Sequence, residues 1–175
     1  ASRVDTQIQA AADGEGAKAY YYEYHGVTSV ISKKILYKEG TYEDKADPQL
    51  TTVLVVYEFN ESGEMTFKYT YYDDATNYMK TTELANGTIY EYSNEDWNGK
   101  GYGKLVKETA PDGTYKVFTD YYAGTEQARY VEEYAADGTW LVTHEYDEAG
   151  VYVGSVYPPD PAEGSKYYDS GNIMA

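Results

Sequence analysis

Asn86-Gly87-Thr88, Asp112-Gly113-Thr114 and Asp137-Gly138-Thr139 repeat one turn signal along the chain, and Gly40 and Gly63 carry the same beat upstream. Successive glycines stand 23, 24, 26 and 25 residues apart. Asx-Gly pairs reverse a chain because glycine accepts a positive φ and the Asx side chain bonds the following backbone. Midway between them lie Asp73-Asp74, Asn98-Gly99, Ala123-Gly124 and Ala149-Gly150, a second set of reversals. Each repeat of about 25 residues is therefore two strands and two turns. The expected fold is all-β, an antiparallel up-and-down meander of hairpin repeats in an open, curled sheet. A closed barrel is the structural alternative, because an open sheet of about ten strands leaves edges to protect.

The segments between the turns read as strands. Tyr20-Tyr21-Tyr22-Glu23-Tyr24 and Val30-Ile31-Ser32-Lys33-Lys34-Ile35-Leu36-Tyr37 are aromatic and β-branched, divided by His25-Gly26. Val53-Leu54-Val55-Val56-Tyr57-Glu58-Phe59 is the one continuous apolar run, which predicts cover on both faces. From Gly63 onward the pattern alternates. Met65, Phe67, Tyr69 and Tyr71 point one way and Glu64, Thr66, Lys68 and Thr70 the other, so one face is wet. Aligned on their glycines, the repeats place Met65, Ile89, Tyr115 and Trp140 in register, and only the Gly87 unit slips, which predicts a bulge near Thr88. Return strands are expected over 78–84, 103–108, 128–134 and 151–157. Between Pro48 and Pro158 the only proline is Pro111, inside a turn where it interrupts no ladder. The organisation that follows is a tail or short helix over 1–18, a hairpin-repeat domain over 19–157 and a Pro-containing tail over 158–175.

Composition narrows the function classes. Leu, Ile, Val and Phe together number 27, while Tyr alone numbers 24, so tyrosine rings must supply much of the apolar layer. The formal net charge is -16, from 30 Asp+Glu against 14 Lys+Arg. That balance repels phosphate backbones and anionic membranes, so no nucleic-acid partner is expected. No run of 18 apolar residues exists, so no membrane insertion is expected. With no cysteine there is no disulfide, thiolate nucleophile or zinc-thiolate site. The acidic, Tyr- and Thr-rich repeat composition points to an exported protein of the periplasm, cell surface or medium.

Trp97-Asn98-Gly99-Lys100-Gly101-Tyr102-Gly103-Lys104-Leu105, followed by Asp112-Gly113-Thr114-Tyr115, resembles a MORN-type hairpin. The Asp-Gly-Thr-aromatic beat, with Glu145-Tyr146-Asp147-Glu148-Ala149-Gly150, is similar to bacterial tyrosine/aspartate (YD, Rhs-type) repeats. The whole chain is similar to small exported repeat proteins of gut bacteria that have no assigned function. That last resemblance implies an extracytoplasmic location and no known catalytic residues.

The residues offer little chemistry. His25 and His144 are the only histidines, too few for a ligand set or a recognisable triad motif. The strand carboxylates Glu58, Glu83, Glu91, Glu108, Glu132, Glu133 and Glu145 read as solvated faces paired with Lys68, Lys80, Lys107, Lys116 and Arg129 on neighbouring strands. No calcium loop, dinucleotide fingerprint or P-loop occurs, so neither a metal nor a cofactor is expected. The remaining signal is aromatic. Trp97, Tyr115, Tyr121, Trp140 and Tyr146 are the candidate ligand-binding residues, on a sheet face that takes a glycan or a protein partner. The alternative is a structural, envelope-associated scaffold whose partners add a strand at an open edge, and a carboxylate-dependent hydrolase using His144 stands third.

Overall fold

The computed structural model describes residues 4–9, 18–38, 52–158, 166–167 and 173–174, with side chains described for 20–38 and 52–158. Every regular element among them is a strand. They are β1 (Val4–Gln9), β2 (Lys18–Tyr24), β3 (Ile31–Tyr37), β4 (Val53–Phe59), β5 (Met65–Tyr71), β6 (Met79–Leu84), β7 (Ile89–Tyr92), β8 (Leu105–Thr109), β9 (Tyr115–Tyr121), β10 (Ala128–Tyr134), β11 (Trp140–Tyr146), β12 (Tyr152–Val156), β13 (Lys166–Tyr167) and β14 (Ile173–Met174). The Gly40 turn lies outside the described residues.

The repeated glycines do what the turn chemistry requires. Gly63, Gly87, Gly113 and Gly138 have φ of +80° to +87°, where a Cβ would be strained. At Gly113 the glycine N–H donates to the Ala110 carbonyl at 2.9 Å while the Ala110 N–H donates to Thr114 O at 2.8 Å, and Gly138 repeats this between Ala135 and Thr139. Threonine is the third letter because it closes the turn. Asp112 Oδ1 accepts both the Thr114 N–H and its hydroxyl, and Asp137 accepts the Thr139 N–H. In the Gly63 and Gly150 turns the acceptor sits at the first turn position instead, as Asn60 and Asp147.

The chain packs as two compact units. The first comprises Ala1–Gly87 with Tyr92–Gly103, and the second Thr88–Glu91 with Lys104–Ala175. In the first, β1 to β6 pair antiparallel in chain order. In the second, β8 to β12 do the same. In neither does a ladder join the first of these strands to the last, so the meander is open and the closed barrel is not formed.

Three expectations are corrected. Residues 1–18 are not simply a tail or short helix, because Val4–Gln9 is a strand paired with β2 from Val4↔Glu23 to Gln9↔Lys18. The period-2 alternation of Val4, Thr6 and Ile8 with polar neighbours is its signal. The apolar run of β4 is not covered on both faces. Only Val56 is buried, and its neighbours keep part of their surface in water. Finally, the Asn98-Gly99 reversal does not join two strands. It turns Trp97 back to Tyr102 inside a connection over 93–104 that docks on the start of β6, where the Met79 N–H donates to Gly101 O at 2.9 Å. Asn98, Gly99 and Gly101 all take positive φ to make that loop.

Candidate functional site

Rows of directly opposed residues define the two faces of each unit. In the first unit one row reads Tyr22, Lys34, Tyr57, Lys68, Glu83. Lys34 Nζ lies 4.2 Å from the Tyr20 ring centroid, and Lys68 donates to Glu83 at 2.8 Å. Behind it run Tyr21, Ile35, Val56, Tyr69 and Thr82, with Val56 and Thr82 buried. Of the expected charge pairs across strands, Lys68–Glu83, Lys107–Glu91, Lys116–Glu133 and Arg129–Glu145 form, Lys33–Glu58 adds to them, and Lys80 Nζ lies 5.6 Å from the Tyr72 ring centroid.

In the second unit one face carries the rows Glu108, Lys116, Glu133, Val142 and Phe118, Val131, His144, Ser155. Phe118 and Tyr121 are three residues apart and would face opposite ways in a regular strand. Asp120, at φ +51°, breaks the alternation between them. Tyr121 thereby joins Phe118 in lining a depression of about 350 Å³. Its floor is Ala128 and Val131, both buried, and Tyr146 forms a further wall. Polar groups rim it: Glu108 and Lys116 from β8 and β9, Glu126 and Gln127 from the β9–β10 turn. Gly150 belongs to this rim, and a Cβ there would come within 2.8 Å of Gln127 Oε1.

Each candidate aromatic can now be placed. Tyr121 and Tyr146 meet in this depression. The Tyr121 hydroxyl donates to the Leu105 carbonyl, and burial pushes its pKa up to about 12, so the phenol stays protonated. Tyr115 belongs to a second cavity of about 200 Å³ and is already engaged, stacked on Tyr134 at 4.9 Å with Lys107 Nζ 4.5 Å from its centroid. Trp140 is half-buried and donates its indole N–H to Thr143 Oγ1 at 3.0 Å. Trp97 lies in the first unit, in the 93–104 loop. Sequence reasoning missed Phe118, Glu108, Glu126 and Gln127, because the face switch at Asp120 leaves no mark in the alternation.

Both histidines are hydrogen-bonded within the fold. His25 Nε2 donates to Phe59 O at 2.9 Å, a bond only the Nε2–H tautomer can make to a carbonyl. His144 Nδ1 is 2.6 Å from Ser155 Oγ, which is 2.7 Å from the Tyr152 hydroxyl, and Nε2 is 3.6 Å from Glu133 Oε1. The chain is satisfied when Tyr152 donates to Ser155, Ser155 donates to Nδ1, and Nε2–H faces Glu133. Ser155 is 1% exposed, so its oxygen is sealed between those partners. Among the described residues no group of three or more His, Asp or Glu is arranged to hold a metal ion, and no helix is long and apolar enough to cross a membrane.

No protein-family model matches the chain, and no curated protein sequence matches it. Among solved structures, similarity extends to the TcdB2-TccC3-Cdc42 crystal structure, at 12% identity and TM-score 0.24 over 88% of this chain and 10% of that one. The Photorhabdus luminescens Tc holotoxin pore is similar at 11% identity and TM-score 0.25, over 98% of this chain and 12% of that one. The chain thus spans about a tenth of the length of the toxin chains it matches. Its own hairpin meander fits a β-repeat protein.

Proposed function

We propose that the protein is a non-enzymatic, exported binding module that takes a neutral saccharide on the aromatic depression of its second unit. The observation that carries this reading is the meeting of Tyr121, Tyr146 and Phe118 over a buried apolar floor, rimmed by Glu108, Glu126 and Gln127. A pyranose has apolar C–H faces and an equatorial belt of hydroxyls. Aromatic walls suit the former, and carboxylates and a carboxamide at the rim suit the latter. The net charge of -16 disfavours anionic sugars. The sealed Ser155 argues against a Ser155–His144 nucleophile pair, since a nucleophile must reach its substrate. Export is supported by composition, an acidic, Tyr- and Thr-rich repeat.

A neutral-glycan array followed by titration calorimetry tests the reading. Tyr146→Ala and Phe118→Ala are each expected to weaken the best hit about tenfold, about 1.4 kcal/mol. Absence of any neutral-glycan hit, or a hit indifferent to both substitutions, overturns it.

A further inference from the structure

The two cavities of the second unit adjoin. The depression of about 350 Å³ and the cavity of about 200 Å³ share Glu108 and Lys116 as lining residues. Those two side chains are directly opposed across the β8–β9 ladder, and Lys116 Nζ continues the row to Glu133 Oε1 at 3.3 Å. A polar strip of alternating charge therefore marks the boundary. Small-molecule pockets commonly enclose about 300–1,000 Å³, so the smaller cavity falls short of a site of its own. As an extension of its neighbour it has a use.

Its wall also carries an apolar side chain that the fold does not bury. Leu141 is 45% exposed, the one exposed residue of β11, whereas Val142 beside it is buried. The bulge supplies the reason. Glu133 pairs with Val142 and Tyr134 with Trp140, so Leu141 is the extra residue and has no partner opposite it on β10. The Tyr115 and Tyr134 rings are stacked on one another, which leaves Leu141 as the large apolar side chain this cavity offers a ligand.

We propose that the ligand of the second unit is a linear neutral oligosaccharide, with one sugar in the Tyr121–Tyr146 depression and a further sugar against Leu141. The chain crosses Glu108 and Lys116 between them. This inference rests on the saccharide reading and adds the ligand's length and course. A hydroxyl both donates and accepts, and the strip supplies both complements: the Lys116 ammonium donates, and the Glu108 and Glu133 carboxylates accept. An anionic sugar would meet two carboxylates for one ammonium there, which selects a neutral chain. Covalent linkage makes the second contact intramolecular, so a small cavity adds affinity that it could not supply to a free monosaccharide.

Titration calorimetry of the full chain tests the inference, using the best neutral hit as a series of increasing length from the monosaccharide upward. Affinity is expected to rise about tenfold once the chain is long enough to cover Leu141. Leu141→Ala and Leu141→Asp should each abolish that rise and leave monosaccharide affinity as in the wild type. Their circular dichroism should be unchanged, because the side chain is exposed and unpartnered across the ladder. Tyr146→Ala, by contrast, should weaken every length alike. A flat length series overturns the inference while the saccharide reading stands, and so does a rise that survives both Leu141 substitutions. A Leu141 variant that weakens the monosaccharide equally also overturns it, since the two cavities would then not be separate contacts. Binding by no member of the series overturns both readings.

Discussion

Both units contain the same tyrosine corner, and they finish it differently. In the first, Tyr71-Tyr72 follows β5, and the Tyr72 hydroxyl donates to Tyr92 O at 2.7 Å. In the second, Tyr121-Tyr122 follows β9, and the Tyr122 hydroxyl donates to Tyr146 O at 3.0 Å. Tyr92 and Tyr146 are therefore equivalent acceptors. Yet the Tyr92 ring is met by Tyr102 at 5.2 Å, delivered by the 93–104 loop, whereas the Tyr146 ring, met edge-on by Tyr152 at 6.0 Å across a short turn, also lines the depression. The length of the connection after the acceptor strand decides whether the corner becomes packing or a wall of a cavity.

The sharpest way to break that comparison is at the loop's return. A Cβ on Gly103 would sit 2.2 Å from Ser93 O, a backbone atom that cannot yield. Gly103→Ala is expected to cost about 3 kcal/mol, by urea unfolding, through the strain of overpacking. Gly154→Ala in the second unit, where a Cβ meets nothing within 4 Å and φ is not positive, should be neutral or stabilising by about 0.5 kcal/mol. Equal losses at both sites would remove the claimed difference.

Next in size is the clamp between β4 and the β5–β6 turn. Asn77, at φ +50°, uses its carboxamide as a substitute peptide, accepting the Val53 N–H at 3.1 Å and donating to Val53 O at 2.7 Å. Asn77→Ala orphans both groups and should cost about 2 kcal/mol. The corresponding turn of the second unit holds itself with Thr125, whose hydroxyl donates to Tyr122 O and accepts the Gln127 N–H. Thr125→Ala should cost about 1 kcal/mol, because the turn's own backbone bonds persist.

Much of the architecture is legible in the sequence because turns are local. Gly113 and Gly138 announce themselves through the Asp and Thr beside them, and β9, β10 and β11 follow from the spacing. The site is legible only in part. Tyr121 and Tyr146 stand out as aromatics, but that they share a cavity depends on Asp120 adopting a left-handed conformation, which no neighbouring residue dictates. The 93–104 loop misleads for the opposite reason. Asn98-Gly99 is a genuine turn signal, and only the docking of Gly101 on Met79 makes it a loop rather than a hairpin. The Tyr-Tyr dipeptides at 71–72 and 121–122 are visible as repeats, but the reach of the second ring to a carbonyl two strands away is a tertiary fact.

That reach supplies the third test. Tyr72→Phe and Tyr122→Phe each delete one hydroxyl while keeping the ring, and each should cost about 1 kcal/mol. Because Tyr122 holds the backbone of the cavity wall at Tyr146, its substitution should also weaken saccharide binding. Tyr72→Phe should leave binding unchanged. If the two variants lose binding alike, the assignment of the depression to the second unit fails.

The smallest effect is electrostatic, and it lies at the second cavity. The Tyr134 hydroxyl donates to Glu132 Oε2 at 2.7 Å, and that bond, helped by burial, raises its pKa to about 12. A phenol whose folded pKa exceeds its unfolded value near 10 holds its proton more tightly in the native state. Its contribution is complete below pH 10 and declines as pH rises toward 12, where unfolding releases protons. Tyr121 adds to the same window, chiefly through burial and secondly through the Glu126 carboxylate. Asp74 in the first unit works at the other end of the scale. Hydrogen bonds from Thr76, then Asn94, hold its carboxyl at about 2, so its contribution is present above pH 4 and is lost as pH falls toward 2. Glu132→Gln should therefore bring one late-ionising phenol back toward 10 in an absorbance titration while leaving the acid limb of the stability curve untouched. A titration indifferent to Glu132 would mean that burial, the leading cause at Tyr121, also governs Tyr134.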